Sequence, residues 1–409
     1  MPAVASAKSA AVHRFVQKGL CGLPAGRANS DTGGELAAVG WLVGGVYHQA
    51  MQPDAPALSP GPPPARARTV ILTPRPPFDP APILGYYVRS PLEPLDHVVD
   101  GAWRRAVRLD GRPVLFEAAP GGTIDAPSVT VRLLAQMPAT GAPVLTVPAV
   151  PALSPAVPLS VPAADAADSE SLDAPDSPAT SALLARVAAL VAHWWRLDQD
   201  ASALATIAAS DPVFGALVAR LHGARSPLMP SPFECLVWAI LGQQITVAFA
   251  YKMKRALVEQ YGDTLEHAGQ TYRLFPDAAR LAAADPADLR EIQFSRQKSD
   301  YIRSAAALVA EDRIDWDALA TMPSADAINE FTALRGVGRW TAEYVLMRGL
   351  GHPDVIPAGD VALQAAIGRA YGLGRKATEP EVRAYAEQWT PHRSHASFAW
   401  WWSLSAKAP

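Results

Sequence analysis

From Ser181 onward, apolar residues recur at spacings of three and four almost without interruption. That period puts them on one face of a helix. It predicts helices over Ala182–Trp195, Pro212–Leu221, Phe233–Tyr261 (with a break near Gly242), Ala278–Ala283, Lys298–Ala310, Trp316–Ala320, Ala325–Phe331, Arg339–Leu350, Val361–Tyr371 and Glu379–Thr390. Asp211, Ser231, Ser324 and Asp360 precede four of these runs and are expected to cap them. Short connections between the runs predict a compact all-α unit. Upstream the texture differs. Thr69–Leu72, Val88, Trp103–Leu109, Val114–Ala118 and Val129–Leu134 read as strand material, His97–Asp100 as part of a turn and Pro82–Tyr87 as a helix. This is the pattern of a small α+β module.

Two stretches carry no such periodicity. Residues 1–67, which end in the Pro/Ala/Gly run Pro53–Pro64, are expected to be a disordered extension. Residues 138–180 are rich in Pro, Ala, Val and Ser and close on an acidic patch at Asp165–Asp176. Prolines at that density interrupt both ladders and helices, so a linker or insertion is expected there. The chain thus divides into 1–67 (extension), 68–137 (α+β module), 138–180 (linker or insertion) and 181–409 (helical domains), and the fold class is mostly α.

Composition narrows the function. No apolar run approaches the roughly 20 residues of a membrane span; the longest, Leu36–Tyr47 and Leu183–Trp195, are shorter, and the second contains Arg186 and His193. Two cysteines, Cys21 and Cys235, cannot build a four-ligand metal or iron–sulfur site. Cys235 is expected to be an inert buried thiol. The first thirty residues lack acidic side chains and carry Lys8, Arg14, Lys18 and Arg27, which fits a disordered extension, an over-long reading frame or a transit peptide. With a net charge of −3, nothing global points to nucleic acid. Any such reading must rest on local geometry.

That geometry is offered by Leu334-Arg335-Gly336-Val337-Gly338-Arg339-Trp340-Thr341-Ala342, between two predicted helices. Two glycines one residue apart allow a tight turn whose successive amides, with the positive end of the next helix, suit an anionic oxygen. A plain helix–helix turn has the same local pattern. One helix later comes Pro357-Ala358-Gly359-Asp360-Val361. An Asp at that position is an ordinary N-cap, and a carboxylate so fixed can also face a cleft.

Together these residues resemble the helix-hairpin-helix/Gly-Pro-Asp (HhH-GPD) superfamily of DNA glycosylases. Other segments are similar to its bacterial 3-methyladenine DNA glycosylase II (AlkA) branch: Ala239–Val247, Arg296-Gln297-Lys298 with Tyr301-Ile302, Pro391–Ala396 with Trp400–Trp402, and Phe78-Asp79-Pro80 with Leu84–Arg89. The resemblance covers roughly residues 68–135 and 182–405. It implies all-α HhH-GPD domains preceded by a TBP-like α+β module. It also implies excision of alkylated (3-methyladenine-like, 7-methylguanine-like) bases everted from duplex DNA, by a bacterial cytoplasmic monomer acting at the nucleoid.

Residue by residue, the resemblance makes Asp360 the catalytic carboxylate and Trp340, Tyr344, Tyr86 and Trp401 the base pocket. It places Gly336, Val337, Gly338, Arg339, Thr341, Gln243, Gln244 and Arg393 at the DNA, with Arg335 and Lys298 as further phosphate candidates. Where bifunctional relatives carry a lysine nucleophile, this chain has Trp340, which implies hydrolysis alone. No cofactor is required; a structural monovalent cation, Na+ or K+, is implied at the carbonyls of Thr332, Leu334 and Val337. Val361 stands where an aromatic is expected and Gln244 where an apolar wedge is expected. Two other readings remain open: a non-catalytic helix-hairpin-helix DNA-binding protein, and a related glycosylase for oxidised or mismatched bases.

Overall fold

The computed structural model describes residues 69–137, 154–160 and 178–404. The predictions for residues 1–67, and for most of the Pro/Ala segment, lie outside those residues. The first described region is an antiparallel sheet: β1 (Thr69–Leu72), β2 (His97–Val99), β3 (Ala102–Leu109), β4 (Arg112–Gly122), β5 (Pro127–Gln136) and β6 (Leu159–Ser160), in the order β2-β3-β4-β5-β1-β6. A short helix, α1 (Ala81–Tyr87), links β1 to β2. Asp100-Gly101 and Asp110-Gly111 take positive φ and close the β2–β3 and β3–β4 hairpins, as tight two-residue turns require.

Three expectations change here. His97–Val99 is a strand that pairs with β3, and only the following Asp100-Gly101 turns. Val88 ends α1 and is exposed rather than strand-forming. The Pro/Ala segment is not all linker: Leu159 and Ser160 pair with β1, Pro158 O accepts from Thr73 N at 3.0 Å, and Val157 is buried in the sheet's core. A two-residue edge strand flanked by proline has no period to read, and an edge position tolerates the missing donor.

The next helix, α2 (Pro178–Trp194), belongs to the sheet rather than to the helices after it. Leu184, Val187, Ala188, Val191 and Trp194 lie in the core formed with Val70, Leu72, Trp103 and Phe116. Trp103 meets Trp195 at 5.8 Å between ring centroids. The predicted boundary at residue 181 therefore cuts through this module, because an amphipathic period shows that a face is buried but not what it is buried against.

The rest of the chain supplies α3 (Ala203–Ala208), α4 (Pro212–Ala219), α5 (Pro232–Gly242), α6 (Val247–Tyr261), the hairpin β7 (Thr264–His267) and β8 (Gln270–Arg273), α7 (Ala278–Ala282), α8 (Pro286–Glu291), α9 (Arg296–Ala310), α10 (Trp316–Thr321), α11 (Ser324–Thr332), α12 (Arg339–Arg348), α13 (Val361–Ala370), α14 (Glu379–Ala386) and α15 (Arg393–Ser403). Two helices are buried nearly all round and sit centrally: α5, and the part of α12 after Trp340, which takes Thr341, Glu343 and Arg348 inside with its apolar residues. With α6, α9 and α11 they form the larger helical core. A second core joins α3, α4, α13, α14 and α15.

Capping follows the sequence at Asp211, Ser231 and Asp360, whose side chains accept the expected helix amides. Ser324 does not cap α11; it is the first helical residue, and its hydroxyl pairs with His352 Nδ1 at 2.9 Å.

Buried ion pairs join the sheet module to the helices. Arg105 on β3 pairs with Asp96 at 2.7 Å and with Glu234 on α5, while Lys254 on α6 holds Glu93 at 2.9 Å. Such pairs add little net stability, but removing one partner strands a charge, so they fix how the two parts meet.

Candidate active site

The turn between α11 and α12 is built as the sequence suggests. Gly336 has φ +84°, and a Cβ there would lie 2.4 Å from the Tyr301 ring. Only glycine satisfies both conditions. Val337 is buried and donates to Leu334 O at 3.1 Å, which pins the turn to the larger core. Among the described residues, the backbone N–H groups of Gly338, Arg339, Trp340 and Thr341 find no intrachain acceptor. These are the unpaired donors of a helix start, and they carry the positive end of its dipole.

At the start of α13, Asp360 is partly buried and accepts three hydrogen bonds. Its Oδ1 takes Leu363 N at 2.8 Å and the Trp401 indole N–H at 3.0 Å; its Oδ2 takes the Trp340 indole N–H at 3.3 Å. Burial raises its pKa above the usual carboxylate value, and the donors from Leu363, Trp401 and Trp340 oppose that rise. The residue is thus both a cap and the centre of an aromatic cluster. Trp340 lies 5.4 Å from Tyr344, and Tyr344 lies 5.8 Å from Trp401, ring centre to ring centre. Trp238 donates to the Tyr344 hydroxyl at 3.1 Å and holds that ring from behind.

Tyr86 joins this cluster in a different way from the stacking platform expected. Guanidinium carbons of Arg89 and Arg348 stand 3.8 and 4.7 Å from its ring centre, and Phe398 packs at 5.9 Å. Burial pushes the Tyr86 hydroxyl up, but the guanidiniums of Arg348 and Arg89, together with a hydrogen bond from Tyr344, leave its pKa below the ordinary value. Sequence reading missed both arginines. The available signal was the charge of Arg348 within the apolar run Val345–Leu350, one turn after Tyr344.

The loop after α5 is held from two sides. Lys298 donates to the carbonyls of Ile240, Leu241 and Gln243 at 3.0, 2.6 and 2.7 Å. It therefore closes the C-terminus of α5, where a cation suits the dipole, instead of waiting for phosphate. Burial lowers its pKa to about 8. Gln243 donates from Nε2 to Gly336 O at 3.2 Å and Thr341 Oγ1 at 3.1 Å, linking this loop to the turn. Between these tethers Gln244 stands exposed with φ +58°.

Other predicted contacts divide. Thr341 is buried, so its side chain is spent on Gln243 and only its amide is available. Arg393 is committed to Asp354 by two hydrogen bonds at 2.7 and 2.8 Å. Arg339 is largely exposed beside Glu343, and Arg335 is exposed with no ion pair among the described residues. Val361 faces outward, 43% exposed, so its size does not set the width of the aromatic cluster. Cys235 is fully buried and burial raises its pKa, as expected of an inert thiol.

Comparison with known proteins follows the same outline. Residues 237–392 match the family model described as "HhH-GPD superfamily base excision DNA repair protein". A DNA-3-methyladenine glycosylase of Bacillus subtilis is 36% identical over 215 residues, 53% of this chain and 71% of that protein. DNA-3-methyladenine glycosylase 2 of Escherichia coli is 32% identical over 191 residues, 46% of this chain and 64% of its own length. Among solved structures, a 3-methyladenine DNA-glycosylase from Archaeoglobus fulgidus shares the fold with a TM-score of 0.62 at 24% identity, over 81% of this chain and 96% of that one. The 8-oxoguanine glycosylase/lyase of Clostridium acetobutylicum shares it with a TM-score of 0.56 at 13% identity, over 80% and 91%.

Proposed function

Because this chain belongs to the HhH-GPD superfamily of base excision DNA repair proteins, we propose that it is a monofunctional DNA glycosylase that removes alkylated bases from duplex DNA. The observation that carries this reading is the carboxylate of Asp360 held by two indole N–H groups inside an aromatic cluster. A phosphate grip alone needs neither.

The steps follow from the residues. The free amides of Gly338 to Thr341 take a backbone phosphate at the start of α12. The loop carrying Gln244 enters the helix stack and fills the space left by the everted nucleotide. The damaged base stacks against Trp340, Tyr344 and Trp401, a contact worth about 1–3 kcal/mol per base. As the N-glycosidic bond breaks, its electron pair leaves with the base and positive charge develops on the sugar. Asp360 stabilises that charge. Its Oδ1 already accepts two hydrogen bonds, so Oδ2, with one, is the oxygen free to act. Water then adds to the sugar carbon and loses a proton, leaving an abasic site. Trp340 offers no amine for attack on the sugar, so strand cleavage does not follow.

A monovalent cation would be held at the turn by the carbonyls of Thr332, Leu334 and Val337. Leu334 O accepts one hydrogen bond, from Val337 N, and keeps a second lone pair. Such an ion would add positive charge beside the phosphate. The protein would act as a monomer on chromosomal DNA in the bacterial cytoplasm.

The test is base release from duplexes carrying methylated purines, read by chromatography, with strand breaks scored before and after alkali. Free base with breaks only after alkali supports the proposal. Binding without release returns the protein to a DNA-binding module, and breaks without alkali contradict monofunctional chemistry.

A further inference from the structure

A cavity of about 20 Å³ lies where the sheet module meets the helices, and none of Asp360, Trp340, Tyr344 and Trp401 lines it. Four cations do: Arg89 after α1, Arg105 on β3, Lys254 on α6 and Arg348 on α12. Three carboxylates, Glu93, Asp96 and Glu234, share the walls with them. All three are engaged by the same two cations. Arg105 holds Asp96 and Glu234, and Lys254 holds Glu93 and Glu234. The walls therefore carry one positive charge more than they compensate.

The surplus falls on Arg89 and Arg348, neither of which pairs with a carboxylate among the described residues. Arg89 donates to the Tyr251 hydroxyl and lies over the Tyr86 ring. Arg348 is fully buried, with its guanidinium against Tyr86 and Phe398. Among the described residues none of its three guanidinium nitrogens finds a hydrogen-bond acceptor, and Arg105 Nε is likewise without one. Aromatic rings attract a cation but leave its N–H groups unsatisfied. A buried charge in that state is costly until an opposite charge meets it.

We propose that this cavity is a structural anion site that holds one chloride ion against the Arg348 guanidinium. The orphaned groups are donors, and a halide only accepts. Water would satisfy the donors yet leave the charge standing. The volume admits a single small particle, which excludes tetrahedral oxyanions such as phosphate. The ion would tie the segment after α1 to α12 and so help to fix the sheet module on the helices. Its role is in stability, whatever the protein does to DNA. Tyr86 is the rival source of negative charge, since its pKa lies below the ordinary value despite burial.

Thermal unfolding in sodium chloride and in sodium gluconate at matched ionic strength tests the site. An ion bound only by the folded state stabilises it by mass action, so the wild-type Tm should rise by roughly 3 °C per tenfold chloride above the dissociation constant. Gluconate, too large to enter, should give no such rise. Arg348→Met should unfold at the same temperature in both salts. Crystals of the wild-type protein grown in bromide provide a readout that needs no variant: an anomalous peak within reach of the Arg348 guanidinium is expected. A wild-type Tm indifferent to the anion, a chloride effect that survives in Arg348→Met, or bromide bound only elsewhere overturns the proposal. The ultraviolet band of a phenolate at neutral pH, lost in Tyr86→Phe, would assign the negative charge to Tyr86 and overturn it too.

Discussion

Trp401 donates its indole N–H to Asp360 Oδ1 at 3.0 Å, joining α15 to the loop before α13 across 41 positions of chain. Together with Trp340 it places two neutral donors on one carboxylate. The pair does for Asp360 what a salt bridge would do, favouring the charged form, without bringing a cation that would compete with the sugar.

This relationship has a pH signature. Burial raises the pKa of Asp360, and the Trp401 and Trp340 donors restrain the rise. Reaction requires the ionised carboxylate, so base release falls as pH drops through that raised pKa. Trp401→Phe removes one donor, raises the pKa further and should move the acid limb of kcat to higher pH. On that limb the variant should be slower than wild type by about tenfold beyond any loss at neutral pH. A pH–rate profile checks this; a limb that stays in place contradicts the role given to the indole.

The two glycines of the turn should separate by readout. Gly336→Ala introduces a Cβ at φ +84° and 2.4 Å from Tyr301, so it should lower stability by roughly 2–4 kcal/mol in denaturant unfolding. Gly338 has φ −83°, and a Cβ there meets nothing within 4 Å. Gly338→Ala should fold like wild type but bind duplex DNA about tenfold more weakly, since the methyl projects into the open space beside the residue's own free amide, where a phosphate would approach. Fluorescence anisotropy measures the second effect. Equal DNA affinity in wild type and Gly338→Ala contradicts the phosphate grip.

Gln243 and Lys298 should control the loop that carries Gln244. Lys298→Met leaves three carbonyls without their donor and should cost about 2–3 kcal/mol of stability. Gln243→Ala removes two hydrogen bonds to the turn, roughly 1–2 kcal/mol, and should weaken base eversion seen by 2-aminopurine fluorescence. The ammonium of Lys298 is present below about pH 8 and lost above it, so eversion should decline through that range in wild type. Lys298→Arg stays charged and should show no such decline.

Much of this architecture is legible in the sequence because it rests on local rules. The periods of α9 and α13, the caps Asp211, Ser231 and Asp360, and the paired glycines at 336 and 338 each state their reason within a few residues. The aromatic set is legible through resemblance alone, since nothing local brings Trp401 to Asp360. What was missed depends on distant partners. Leu159–Ser160 is a strand only because β1 has an open edge, and α2 joins the sheet because the sheet presents Trp103 to it. Lys298 and Arg393 look like surface cations until the ends of α5 and the Asp354 loop take them up. Arg89 and Arg348 are invisible as a pair, 259 positions apart, until Tyr86 is placed between them in the cluster.

Single-turnover base release by Asp360→Asn tests the central claim most directly. Asparagine keeps the size of the side chain and can still accept from Leu363 and Trp401, but it carries no charge. The variant should bind lesion-containing duplex with wild-type affinity and release base at least about 1,000-fold more slowly, the scale expected when charge facing a developing sugar cation is removed. Release within about tenfold of wild type would take Asp360 out of the chemistry and leave its hydrogen bonds to Trp340 and Trp401 as structural contacts only.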